Sequence, residues 1–421
     1  MSNYKYSAFL IATITLIGIT GCGESLPDAE QAADVVEQLE PGTPQADIPP
    51  VAVRNWQSKE PGTIVEVLDA ASLSRIDGSS QALFVRYTTT DVKGSPALAS
   101  GIVLFPESTN YKEGELPLVV YGHMTTGAAD ACAPSHSSPD STELQKMQQG
   151  DKVARQLLGL GAVVARPDYE GIGEAGPHPY LRGDSLARSM RDMASAVANY
   201  WPEIGGSWVA AGHSEGGVAA LNTGNRMLPE ARGLNLVGIV SITPVTQLEK
   251  LLLIAAPLPI AGPPLNEAVA LSALVLSGIS TVDASFKRLL FDEGGLSERA
   301  IELWPDIERL CLADLSGKDS WGGLSPAELK GPRGNEALAE MRRSLDADDV
   351  RFLPMRRDVP IRIDAGILDA VALLPFTEQL VQTYRNSGND VTFKRWLAAH
   401  SPTADIAASE IASWIIERFK K

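Results

Sequence analysis

Only 3 cysteines occur in the 421 residues, too few for a disulfide framework to stand in for a hydrophobic core. Positive charge is scarce as well. The 36 Lys and Arg against 52 Asp and Glu give a formal net charge of −16, which argues against nucleic acid and against strong adsorption to anionic lipid. The N-terminus lacks a membrane-spanning run, because the apolar stretch from Phe9 to Thr20 falls short of the roughly 20 residues a helix needs to cross a bilayer. Histidine is rare, with 5 in the chain, and none belongs to a metal-ligand cluster. No phosphate-binding loop and no internal repeat appears. No metal and no cofactor is implied.

What is present at the N-terminus resembles a bacterial lipoprotein signal. Lys5 precedes the short apolar run, and Ile19-Thr20-Gly21-Cys22 matches a lipobox. The resemblance implies cleavage before Cys22 and lipidation of its sulfur, with 1–22 as signal peptide. Gly23 in place of an aspartate favours the outer membrane. A secretory signal cut nearby is the alternative, and either one places the mature chain outside the cytoplasm. Residues 23–50 mix acidic side chains with Pro41, Pro44, Pro49 and Pro50 and read as a disordered tether. Cys132 and Cys311 remain, open to pairing as a disulfide or to persisting as buried thiols.

The densest signal is Gly212-His213-Ser214-Glu215-Gly216, a G-x-S-x-G pentapeptide. Ser207 to Ala211 before it reads as a buried strand, and Gly217 to Leu221 after it as a helix. A serine on so tight a strand-to-helix turn exposes its hydroxyl on a strained backbone, and the flanking glycines leave room where strand and helix nearly touch. A hydroxyl needs a base. In this arrangement the partners follow the nucleophile in the order acid, histidine, and of the histidines only His400 lies after Ser214. The acid belongs on the loop leaving the strand Val359 to Ala365, which points to Asp369, with Asp364 within the strand as runner-up. Asp369 would fix the histidine tautomer and stabilise the imidazolium.

Strand-like and helix-like segments alternate along the body, the pattern of a mostly parallel sheet covered by helices. Leu83 to Tyr87 and Ala97 to Phe105 suggest an antiparallel opening. Leu144 to Leu158 reads as one helix closed by Gly159. From Pro244 to Asp358 strands vanish, and helical runs near Asn266–Leu276, Glu298–Leu312 and Asn335–Leu345 suggest an inserted cap. The expected organisation is a core of 51–243 and 359–421 with a helical cap or lid at 244–358. Leu116 to Tyr121 leads into a turn, Gly122 to Gly127, that would donate one oxyanion amide from Met124 or Thr125; the amide of Glu215 would donate the second. Asp168 reads as structural, His123 as orienting the turn or lining the pocket, and His178, on a loop beside the pocket, as surface or structural, with substrate contact as its alternative.

Tyr121-Gly-His-Met-Thr-Thr-Gly127, Cys132-Ala-Pro-Ser135, Pro167-Asp-Tyr-Glu-Gly-Ile-Gly173, His178-Pro-Tyr180 and the elbow together resemble the secretory lipase family. The resemblance runs from about Pro61 to the C-terminus and thins through the cap. It implies an α/β-hydrolase fold with a helical cap, a Ser214–Asp369–His400 triad and action on carboxylic esters, from small molecules to lipids. Met124 departs from the glycine common at that place in relatives, and Gly366-Ile-Leu-Asp-Ala-Val371 matches loosely. The expected activity is ester hydrolysis through an acyl-enzyme. The rivals are a serine peptidase of the same fold and a surface lipoprotein with an inert triad.

Overall fold

The computed structural model describes residues 55–70 and 75–420; the lipobox at Cys22 and the tether lie outside them. The body is a nine-stranded sheet. Strand β2 (Ser79–Thr90) pairs antiparallel with both β1 (Ile64–Asp69) and β3 (Pro96–Pro106), so the antiparallel opening is present, with β1 an added strand. Then come β4 (Leu116–Gly122), β5 (Val163–Pro167), β6 (Ile204–His213), β7 (Asn235–Ile242), β8 (Ile361–Gly366) and β9 (Val391–Trp396). The spatial order is β1-β2-β3-β5-β4-β6-β7-β8-β9, and the pairs from β5–β4 through β8–β9 are parallel. β4, β5 and β8 are buried along their whole length, as expected of parallel strands covered on both faces.

Alternation along the strands feeds two cores. Val119, Tyr121, Val209, Ala211, Val240 and Ile242 pack on one face. Their cover is α1 (Asp151–Gly159), through Val153 and Leu157, and a C-terminal helix, Pro402–Arg418, through Ala404, Ala408, Ile411 and Ile415. Leu118, Val120, Ala210, Ile361 and Ile363 face the other way, towards α2 (Gly183–Tyr200) and α3 (Glu215–Thr223).

Between β7 and β8 the chain forms α4 (Leu248–Ala255), α5 (Asn266–Val282), α6 (Ala284–Phe291) and α7 (Gly334–Ala347), joined by short helical turns and no strand. Val269, Leu274, Phe286, Trp321 and Met341 from this insertion belong to the same continuous apolar cluster as the sheet's second face. The insertion therefore shares one core with the body. After β8 come α8 (Leu374–Asn386), then β9 and α9, the C-terminal helix just described.

Two expected helices are broken. Leu144–Met147 and α1 are separate, because Gly150 sits at φ 92° and a Cβ there would lie 2.4 Å from the Tyr121 ring. Gly159 ends α1 from inside; the left-handed residue that turns the chain is Gly161, at φ +84°. Glu298–Leu312 splits likewise into Glu298–Glu302, a 3-10 turn at Trp304–Glu308 and Leu312–Leu315, with Pro305 unable to continue an α-helical bond ladder.

Cys132 and Cys311 form a disulfide with Cα atoms 5.4 Å apart. It fastens the segment following β4 to the insertion, beside a bridge between Gly127 and Cys311 and a 2.9 Å bond from Leu312 N–H to the Thr126 carbonyl.

Candidate active site

Strand order reverses about β4: the chain runs from β4 to β5 on one side, then crosses to β6 on the other. Ligands of open parallel sheets gather at such switch points, outside the strand C-termini. Here the turn after β4 and the elbow after β6 meet.

Ser214 sits between β6 and α3 with φ 56° and ψ −111°, a backbone state that L-residues tolerate only when their surroundings enforce it. The enforcement is steric. A Cβ on Gly212 would lie 2.1 Å from the Gly216 carbonyl oxygen, and one on Gly216 would lie 2.1 Å from that of Gly122. Strand, elbow and helix touch backbone to backbone, so only glycine fits at both places.

The three side chains expected to act together converge. His400 Nε2 lies 2.8 Å from Ser214 Oγ, and His400 Nδ1 lies 2.8 Å from Asp369 Oδ2. The carboxylate can only accept, so Nδ1 carries a proton; the neutral ring then presents its Nε2 lone pair to the serine hydroxyl. Asp369 is held from its other oxygen, Oδ1, which accepts 2.8 Å bonds from the N–H groups of Val371 and Ala372. It caps its own loop and binds the histidine at once. Asp364 is engaged elsewhere, paired through both oxygens with Arg362 at 2.8 Å and with Trp396 Nε1 at 2.7 Å.

His213 supports the loop of His400 from beneath. Its Nε2–H donates to the His400 carbonyl at 3.1 Å, and the rings stand 5.4 Å apart. Burial, and then the neighbouring His400, push its pKa down to about 3, so it serves as a neutral donor. His123 is buried, with Nδ1 donating to the Met124 carbonyl at 2.6 Å and its ring stacked 4.3 Å from Tyr169; burial lowers its pKa. Asp168 accepts from Ser100 Oγ at 2.8 Å and Ser135 N–H at 3.0 Å, a purely structural role. His178 is buried and paired with Glu215 at 2.9 Å.

A cavity of about 360 Å³ opens onto Ser214 and His400. Met124 and Thr125 border it beside the serine, and Leu248, Leu252, Val275 and Leu276 from the insertion form its apolar wall. Tyr180 also lines it, its hydroxyl 2.9 Å from Thr125 Oγ1. Sequence reading did not assign Tyr180 to the pocket; its one signal was its place in His178-Pro-Tyr180. Gly171-Ile-Gly173-Glu-Ala-Gly176 has the glycine spacing of a dinucleotide loop, but the next helix begins only at Gly183, which removes the helix N-terminus such a loop requires. Among the described residues no group of His, Cys, Asp and Glu could hold a metal ion.

The sheet order, the elbow and the helical covering define an α/β-hydrolase fold. Solved structures of that class align along most of the chain. Lipase A of Candida antarctica superposes with a TM-score of 0.70 at 17% identity, covering 87% of this chain and 84% of that one. The rice cell wall degrading esterase of Xanthomonas oryzae gives 0.64 at 19% identity, covering 86% and 98%. No protein-family model and no curated protein sequence matches the chain. The likeness is one of fold.

Proposed function

We propose that the chain is a serine hydrolase of carboxylic esters acting through an acyl-enzyme. The observation that carries this is His400, bridging Ser214 Oγ and Asp369 Oδ2 at 2.8 Å each at the mouth of an apolar cavity. Ser214 attacks the ester carbonyl, His400 takes its proton and returns it to the leaving alcohol, and Asp369 stabilises the imidazolium. The main-chain N–H of Glu215 and one from Met124 or Thr125 receive the oxyanion. Water, activated by His400, then hydrolyses the acyl-enzyme. The wall of Leu248, Leu252, Val275 and Leu276 suits an acyl chain, and the fold shared with a lipase and an esterase supports the same reading.

The insertion at 244–358 acts as a cap in this reading, and the chain works outside the cytoplasm, anchored at Cys22. The Cys132–Cys311 disulfide supports the location, since such bonds persist in oxidising compartments.

The test is hydrolysis of p-nitrophenyl esters of increasing chain length beside aminoacyl anilides, with fluorophosphonate labelling. Wild type should cleave esters and label. Ser214→Ala should not label and should lose kcat by about 10⁴-fold or more. Turnover of anilides alone would favour a peptidase, and a wild type that neither labels nor turns over would mark an inert lipoprotein.

A further inference from the structure

One buried charge pair lies directly behind the proposed oxyanion hole and takes no part in the proton relay. Glu215 opens α3 immediately after the nucleophile, and its side chain points inward, with the residue 1% exposed. Its Oε1 lies 2.9 Å from His178 Nε2, and its Oε2 has no hydrogen-bond partner among the described residues. His178 is fixed from the other side, where Nδ1–H donates to the Glu170 carbonyl at 2.8 Å. The loop carrying it folds back on itself at Gly171, where φ is +72° and a Cβ would lie 2.4 Å from the Pro177 carbonyl.

An unpaired carboxylate at this place opposes catalysis. It would soak up the positive end of α3, which is the field a developing oxyanion needs, and it would do so in a medium of low dielectric where charges act strongly. We propose that His178 is a positioning residue for the oxyanion hole: as an imidazolium it neutralises and holds the Glu215 side chain, so that the Glu215 main-chain N–H meets the oxyanion with no bare anion beside it. This rests on the ester-hydrolase reading above.

The titratable groups facing His178 are few. They are Glu215 on α3, Glu170 and Tyr169 on the loop after β5, and Tyr180, whose ring stands 6.0 Å away. The Glu170 carboxylate is occupied by Ser185 Oγ and by Val92 N–H at 2.8 Å. Burial alone would lower the basicity of His178, but the hydrogen bond to Glu215 and its charge outweigh it, so the pKa is raised. The imidazolium therefore persists below that raised value and is lost only as the pH climbs through it.

The experiment compares wild type, His178→Ala, Glu215→Gln and the double variant on p-nitrophenyl butyrate, beside ¹⁵N spectra of histidine-labelled protein. His178→Ala should lower kcat about 10- to 100-fold with KM changed less than about threefold. Adding Glu215→Gln to it should recover most of that loss, because the stranded anion is gone. Wild-type kcat should fall at alkaline pH, and that limb should be missing in Glu215→Gln. Below about pH 6.5 the ¹⁵N spectrum of wild type should show His178 protonated on both nitrogens, and Glu215→Gln should move that titration to lower pH. A folded His178→Ala with unchanged kcat, a double variant no better than the single, or a neutral His178 in wild type would each overturn the proposal. If wild type cleaved no ester, the functional reading would fall, while the spectra would still decide the charge of the pair.

Discussion

α3 and α4 are both short and strongly apolar, yet the fold uses them in opposite ways. All nine residues of α3, Glu215–Thr223, are buried. In α4, Leu248–Ala255, the only buried residue is Glu249, and Leu253 is 54% exposed. The first helix is clamped on every side, as the proposed mechanism requires of a helix whose N-terminal amide meets a reacting oxygen within tenths of an ångström. The second turns Leu248, Leu251 and Leu252 to a cavity, with Leu248 and Leu252 only partly buried at the rim of the common core. Composition alone does not tell an anchored helix from one that lines a void; the neighbours do.

The difference can be broken at its seam first. Cys132–Cys311 joins the segment after β4 to the insertion across 179 residues, and in the chain-entropy account a closed loop of that size stabilises by about 5 kcal/mol. Cys311→Ser should lower stability towards that figure in chemical denaturation under oxidising conditions, and the reductant sensitivity of wild type should vanish in the variant. Next, Leu221→Ala in α3, at a fully buried site, should cost about 3 kcal/mol. Such a loss would be read as a lower denaturation midpoint.

A third effect depends on pH. His213 is buried and neutral, with a folded pKa of about 3 against an unfolded value near 6.5. The unfolded chain takes up the proton first, so stability falls as pH drops below about 6.5 and levels off only below the folded value. Between pH 7 and 4.5 this histidine should remove about 2 to 3 kcal/mol from wild type, and His213→Gln, whose amide can still donate to the His400 carbonyl, should lack that component of the acid sensitivity. The smallest stability change belongs to α4. Leu252→Ala should cost less than about 1 kcal/mol while shifting kcat/KM between short and long acyl esters by about threefold to tenfold. An equal loss at Leu221 and Leu252 would erase the contrast between the helices.

Much of the site was legible because its parts obey local or ordering constraints. The elbow shows as glycines around one serine between an apolar strand and a helix. His400 emerges because a single histidine follows Ser214, and Asp369 because it leaves the preceding strand. What stayed hidden was set by contacts distant in sequence. The pairing of His178 with Glu215 spans 37 residues, and nothing local at either one announces the other. The break before α1 depends on the ring of Tyr121 filling the place of a Cβ on Gly150. The insertion's share in the common core likewise depends on which faces meet.

The disulfide has a topological consequence for when the molecule becomes competent. Residues 132 to 311 form a covalently closed circle that holds β5, β6, Ser214 and β7. Asp369 and His400 arrive from the tail beyond it, on the loops after β8 and β9. In the proposed mechanism, detaching that tail leaves the circle intact and the serine without a base, so loss of turnover would report undocking of the last two strands before any opening of the ring.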